Sequence, residues 1–220
     1  MPSTEIKAKP ALNIIRPEEI HHLLTPGEMG AVLEWTVHDP KTGKVTEHRV
    51  MKSRSFVKAF LQLLFVKMAM TPTTAPIVIV DTGAGAGTDR NVSTKPGKGY
   101  LFITVAAAGL VTNGIIIGTG ITPPDIADHR IETLIPHATA NYSAMTWAAP
   151  GADATTSQFT ITRNFTAVGA ITVNEIALYC QAEDTTGTMK EFMIIRDAPL
   201  DIAVGAGLTL TVNYRLQAAV

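Results

Sequence analysis

Ile79-Val80-Asp81-Thr82-Gly83-Ala84 is the sharpest chemical signal in the chain, two apolar residues running into an Asp-Thr-Gly turn. An aspartate at such a strand end, set beside a second copy of itself, gives two carboxylates that share one proton and can act as acid and base. The glycines that follow, Gly83, Gly85 and Gly87, hint at a phosphate cradle. A dinucleotide site needs a helix opening directly after its glycines, with the N-terminus facing the pyrophosphate. Thr88 to Pro96 has no apolar periodicity and no Gly-Lys-Ser/Thr follows, so a flexible loop over 82–99 is expected. Asp125, Asp128, His129 and His137 carry ligand atoms, but their spacing matches no metal site and Pro123-Pro124 puts them in a surface loop. Cys180 ends an apolar strand and reads as a small buried hydrophobe. No Gly-x-Ser-x-Gly elbow is present. Glu175 and Arg163 interrupt β-patterned segments and are expected to pair across strands. His38 and His48 fall on polar strand faces and are expected to be solvated. No catalytic residue, cofactor or metal is expected.

The elements around these residues read as mainly β. Ala31, Leu33, Trp35 and Val37 alternate with polar residues, Asp39-Pro40-Lys41-Thr42-Gly43 supplies a turn, and Lys44 to Val50 returns, giving a hairpin over 31–50. Ser53 and Ser55 offer N-cap hydroxyls to a helix over 55–70, about 24 Å long. Twelve of its sixteen residues are apolar, which predicts a helix enclosed by a sheet and by another chain. Candidate strands follow at Tyr100–Val105, Gly114–Gly118, Tyr142–Trp147, Gln158–Phe165, Ile171–Tyr179, Glu191–Ile195 and Leu208–Leu216. In Ile171–Tyr179 the alternation changes phase, which predicts a bulge near Asn174-Glu175 or burial of both faces. Short strands with one helix near the front indicate an antiparallel β-sandwich or jelly roll.

Residues 1–28 contain Pro2, Pro10, Pro17 and Pro26 and cannot form one long helix. An extended arm ahead of a domain over 29–220 is expected. Leu12, Ile14, Ile15, Ile20, Leu23 and Leu24 make that arm too apolar for a free tail. Burial on the parent subunit or on a neighbour is expected, and Leu12, Ile14, Ile15, Leu23, Leu24, Phe56 and Phe60 are the candidate subunit contacts.

Composition points the same way. Of 220 residues 46% are hydrophobic and 17% charged, below the ~25% charge of an ordinary soluble domain. Thr (29) and Ala (28) fill the difference, aromatics number 13, and the net charge is −1, close to the value that promotes association. Residues 1–70 carry ten basic and seven acidic side chains, residues 71–220 eight and twelve. Neither half has the basic stripe of a nucleic-acid binder. Front and back of neighbouring subunits would attract one another, with a salt dependence. One cysteine closes no intramolecular disulfide, which fits a reducing cytoplasm. The N-terminus has no apolar h-region, and Phe56 to Met70 is too short and too interrupted for a membrane span.

Two stretches carry a family resemblance. Ser53-Arg54-Ser55-Phe56-Val57-Lys58-Ala59-Phe60-Leu61-Gln62-Leu63-Leu64, after a strand–turn–strand, resembles the early segment of structural proteins from tailed-bacteriophage and prophage morphogenesis clusters. Phe159–Phe165, then Asn174-Glu175-Ile176-Ala177-Leu178-Tyr179, then Arg196-Asp197 and the strand Leu208–Tyr214 are similar to virion β-sandwich domains. Together they cover about half of the chain. The resemblance implies a virion subunit of the neck, tail or capsid-accessory class, assembled in the host cytoplasm with copies of itself and other virion proteins. A surface module that recognises a host glycan or receptor is the alternative. Such sites cluster aromatics, whereas Trp35 and Trp147 are far apart and expected to be buried. Asp81-Thr82-Gly83, with Ile116-Ile117-Gly118 beyond it, also resembles the catalytic turn and supporting strand of retroviral-type aspartic proteases. The short spacing, the longer chain and the glycine-rich loop depart from that family, and strand ends favour Asp and Gly for geometric reasons alone.

Overall fold

The computed structural model describes residues 24–25, 27–53, 56–69, 77–83, 86–92, 102–152 and 156–219. Leu12, Ile14, Ile15 and Leu23 of the predicted arm lie outside them, as do Ser55 and Met70 at the ends of the predicted helix.

The first hairpin forms as its alternation requires. β1 (Met29–His38) pairs antiparallel with β2 (Val45–Lys52). The turn is held by Asp39, whose Oδ1 accepts from the Lys41 N–H at 2.8 Å and Oδ2 from the Thr42 hydroxyl at 2.9 Å. Helix α1 (Lys58–Ala69) follows, then β3 (Ile77–Val80), β4 (Asp89–Val92), β5 (Gly114–Gly118), β6 (Ala140–Tyr142), β7 (Thr146–Ala152) and β8 (Thr156–Ala167). The remaining strands are β9 (Ile171–Val173), β10 (Glu175–Glu183), β11 (Met189–Asp197), β12 (Ile202–Val204) and β13 (Thr209–Ala219).

The protein is mainly β, with several antiparallel sheets. The largest runs β2-β1-β13-β8-β6, with β7 also paired to β8, so that β2 and the β6/β7 side are its ends. A three-stranded sheet has the order β11-β10-β5, and β12-β9 and β3-β4 are two-stranded. Alternation decides the large sheet: Leu210, Val212 and Tyr214 of β13 stand opposite Val37, Trp35 and Leu33 of β1, all buried on one face. One hydrophobic cluster joins these residues to Ile115, Ile116 and Ile117 of β5, Ile176 and Leu178 of β10, and Ile194 of β11. Tyr214 reaches from the large sheet to donate to Asp197 Oδ2 at 2.9 Å, and the Ser53 hydroxyl donates to the same oxygen at 2.8 Å. The other face of the large sheet carries cross-strand polar pairs, a usual source of sheet stability. Glu34 there accepts from Asn213 and Arg215 and contacts His48, while Asn213 accepts from the Thr162 hydroxyl.

Several expectations change. The phase shift in Ile171–Tyr179 goes with burial of both faces over Glu175–Cys180, one of the two expected causes, and also with a change of sheet, because Ile171–Val173 pairs with β12 and the residues after Asn174 pair with β11 and β5. The predicted loop over 82–99 contains a strand, β4, since Asp81 and Gly87 close a hairpin between β3 and β4. Of the predicted strand Tyr100–Val105, the described residues 102–105 give a single bridge, Ile103 to Gln181. Tyr142–Trp147 divides into β6 and the start of β7. Ser53 is not a helix cap, its hydroxyl being taken by Asp197; α1 is instead set in place by a bridge from Phe56 to Ile195. Within its own chain α1 is covered on one side: Ala59, Leu63 and Val66 are buried, whereas Leu61, Phe65 and Met68 are 51% to 78% exposed. Its face is apolar by composition and bare in the single chain. No described helix is long and apolar enough to cross a membrane.

Candidate functional site

Asp81 is placed where the sequence puts it, at the end of β3, but its carboxylate is used to close a turn. Oδ1 accepts from the N–H groups of Gly83 and Thr88, both at 2.9 Å, and Oδ2 pairs with Arg90 Nε at 2.6 Å. Burial opposes the charged form, yet the Arg90 guanidinium and the two N–H groups outweigh it and hold the Asp81 pKa below its usual 3.8. The stability this carboxylate lends is therefore present above about pH 4 and lost as the pH falls through its lowered folded value. Asp81→Asn should cost about 1–2 kcal/mol at neutral pH and reduce the loss of stability on acidification. Urea titrations at pH 7 and pH 3 would check this, an unchanged acid response counting against it. Ile116-Ile117-Gly118, the other half of the protease-like pattern, lies in β5, which is bonded to β10 and belongs to a different sheet from the β3-β4 hairpin.

The candidate metal ligands also have structural partners. Asp128 Oδ2 pairs with Arg196 at 2.7 Å and accepts from the Asp125 N–H, and His137 Nδ1 accepts from the Tyr142 N–H at 3.0 Å. Among the described residues, no three His, Cys, Asp or Glu side chains converge as a metal site would require. Cys180 is fully buried, and burial pushes its thiol pKa far above the ordinary range. His48 is half-buried on the polar face and bonds to Glu34 at 2.9 Å.

Glu175 and Arg163 do not pair with each other. Glu175, fully buried, accepts from the N–H groups of Gly120, Glu132 and Thr133 at 2.9–3.0 Å and pairs with Arg196 at 3.0 Å. A Cβ at Gly118 would sit 2.5 Å from both Glu175 Oε1 and the Thr133 carbonyl, so the approach needs glycine there. Arg163 is equally buried and makes only carbonyl bonds: Nε to Ser143, Nη1 to Asn113 and Ile115, Nη2 to Ala107 and Leu110, at 2.6–3.2 Å. Its guanidinium lies 4.7 Å from the Tyr142 ring centre, and burial lowers its pKa to about 10. Both residues tie loops to the core.

The remaining feature is uncovered apolar surface. Leu61, Phe65 and Met68 recur at i, i+4 and i+7, one stripe along α1. Ile126, whose carbonyl accepts from the Lys58 N–H at the start of α1, is also exposed. At the same end of the helix Phe56 and Phe60 stack with ring centres 4.2 Å apart and form one wall of a groove of about 220 Å³. Met29, Pro150, Phe159 and Leu216 line the other side. Phe56 and Phe60, two of the predicted contacts, thus come together with surface open beside them. Leu24, a third, is buried over Gly30, with its Cδ2 3.0 Å from where a Cβ would stand. The sequence reading did not single out Leu61, Phe65, Met68 and Ile126 as exposed apolar residues, although the i, i+4, i+7 spacing of the first three was available. Trp147, expected to be buried, is 42% exposed on β7, whose residues are all exposed and which, among the described residues, pairs with β8. Compared with protein families, curated proteins and solved structures, the chain matches none.

Proposed function

We propose that the chain is a structural subunit of a tailed-phage virion, of the neck, tail or capsid-accessory class, with its two main sheets packed as a β-sandwich. It acts by oligomerisation and by contact with other virion proteins, and it assembles in the host cytoplasm. The observation that carries this reading is the apolar surface at α1, with Leu61, Phe65 and Met68 bare and the groove open beside them. Contiguous exposed apolar area of this kind marks an interaction surface, and head-to-tail contacts closing around an axis would bury it.

Light scattering and negative-stain imaging of the purified full chain test the reading, with a ring or other closed assembly as the expected result. Phe65→Glu with Met68→Glu should reduce the assembled fraction at least tenfold while changing stability by no more than about 0.5 kcal/mol, as for exposed positions. A chain that stays monomeric both alone and in its native particle overturns the proposal. The exposure of Trp147 favours a second reading, a surface module stacking a host glycan on the indole. Specific hits on a glycan array would put that reading first.

A further inference from the structure

We infer that Asn113-Gly114 is a deamidation site held shut by the native fold, and that a chain converted there while unfolded does not refold. The inference is independent of the assembly reading. It rests on one dipeptide and on how the folded chain holds it.

The chain has seven asparagines, and Asn113 alone is followed by glycine. Loss of the side-chain amide is one of the reactions that make asparagine thermolabile, and it begins on the main chain. The nitrogen of the next residue attacks the side-chain Cγ, the amide leaves as ammonia with the proton that nitrogen gives up, and a five-membered succinimide remains. Water then opens the ring at either carbonyl, giving aspartate or isoaspartate. Glycine has no Cβ and the widest choice of φ and ψ, so it allows the attack most readily.

The fold withholds what each step needs. Asn113 is fully buried and closed to bulk water. Its Nδ2 donates to the Val105 carbonyl at 2.7 Å, which holds the leaving group, while Oδ1 has no hydrogen-bond partner among the described residues. Negative charge growing on that oxygen as Cγ is attacked is therefore left without a donor. The Asn113 main-chain carbonyl accepts from Arg163 Nη1 at 3.1 Å, and Gly114 sits at φ +78° against Met145, whose Sδ occupies the place a Cβ would take. Swinging the Gly114 nitrogen onto Cγ would break these contacts together. Reaction then waits on opening of the fold.

The same surroundings reject both products. Aspartate would set a carboxylate against the Val105 carbonyl, and the five N–H donors of Arg163 are already committed to Ser143, Asn113, Ile115, Ala107 and Leu110. A buried charge without donors strongly disfavours the folded state. Isoaspartate routes the main chain through Cβ and Cγ, which adds a bond just ahead of Ile115. There β5 must meet β10 in register, and Arg163 bridges the carbonyls of Asn113 and Ile115.

Mass spectrometry of the full chain, held at pH 8 in buffer and in concentrated urea and then digested, reads the replacement of ammonia by water at each asparagine. Conversion at Asn113 should run at least tenfold faster in urea and exceed that at the other six. Asn113→Gln, whose longer side chain closes the ring poorly, should remove it there whether or not the variant folds. A smaller ratio, or conversion spread evenly over the asparagines, overturns the inference. After dilution from urea, the fraction that elutes as native on a sizing column should be depleted at least tenfold in converted chains, and a smaller depletion overturns the block on refolding. Asn113→Asp, made directly, gives a second readout. It should lower the ratio of folded to unfolded chain at least tenfold at pH 8, read by thermal unfolding, and a smaller loss counts against the block in the same way.

Discussion

Arg163→Met should lower stability by about 3–5 kcal/mol, among the largest effects of any single substitution in this protein. Methionine restores most of the buried volume but leaves the carbonyls of Ala107, Leu110, Asn113, Ile115 and Ser143 without their donor. Each such loss in a dry interior costs about 1–3 kcal/mol, partly offset because a desolvated cation has been removed. For a chain of this size the change corresponds to a fall in Tm of roughly 6–20 °C. Arg163→Lys keeps the charge, but an ammonium has three donors on a point and cannot serve five carbonyls spread around a plane. It should recover less than half of the loss. Thermal unfolding followed by circular dichroism measures both variants, and a loss below about 1 kcal/mol for Arg163→Met would mean that water replaces the guanidinium.

The second large effect is expected at Glu175. Removing one partner from a buried ion pair costs about 3–5 kcal/mol, because the other charge stays behind. Glu175→Gln should approach that figure even though it is nearly isosteric. All the groups facing the carboxylate are donors, namely three backbone N–H groups and Arg196, and an amide NH₂ turned toward any of them has no acceptor there. Arg196 retains Asp128 and the Thr122 carbonyl, so the Glu175–Arg196 coupling should be smaller than either single loss. A double-mutant cycle with Arg196→Met, read by denaturant unfolding, gives the coupling directly. Amide exchange at Gly120, Glu132 and Thr133 should quicken in Glu175→Gln by more than the global loss of stability quickens it in β1. Uniform quickening across both regions would show that Glu175 does not act locally on the segment it binds.

Where the sequence carried a period, the fold was readable. The hairpin of β1 and β2 follows from Ala31, Leu33, Trp35 and Val37 with an Asp-Pro-Lys-Thr-Gly turn, and Gly114–Gly118 is a strand with the bounds expected. The break at Asn174 was visible as a change of phase, and burial of both faces beyond it was one of its expected causes, but the accompanying change of sheet depends on distant partners that a phase change does not reveal. β4 was hidden because Asp89-Arg90-Asn91-Val92 has no alternation of its own and owes its pairing to the Asp81 turn. Arg163 and Glu175 were conspicuous as charges among apolar neighbours. Apart from the Glu175–Arg196 pair, their partners are backbone groups distant in sequence, and no pattern of side chains announces those. The apolar residues at α1 were legible only by type: Leu61 and Phe65 are apolar, and so are Leu63 and Val66, but only packing separates those that face the core from those left bare.

The two ends of the large sheet bear on how the protein behaves when concentrated. β2 presents Glu47, His48, Arg49 and Lys52 along its short length, and the β7 side has a shift of register between Ala148 and Gly151 with Pro150 inside it. Charges, a kink and a residue without an N–H are the features that stop a free strand from templating another. Growth into fibrils by adding strands is therefore blocked at both margins. A contact made by this sheet with another copy would then run through side-chain surfaces, which separate and re-form without unfolding.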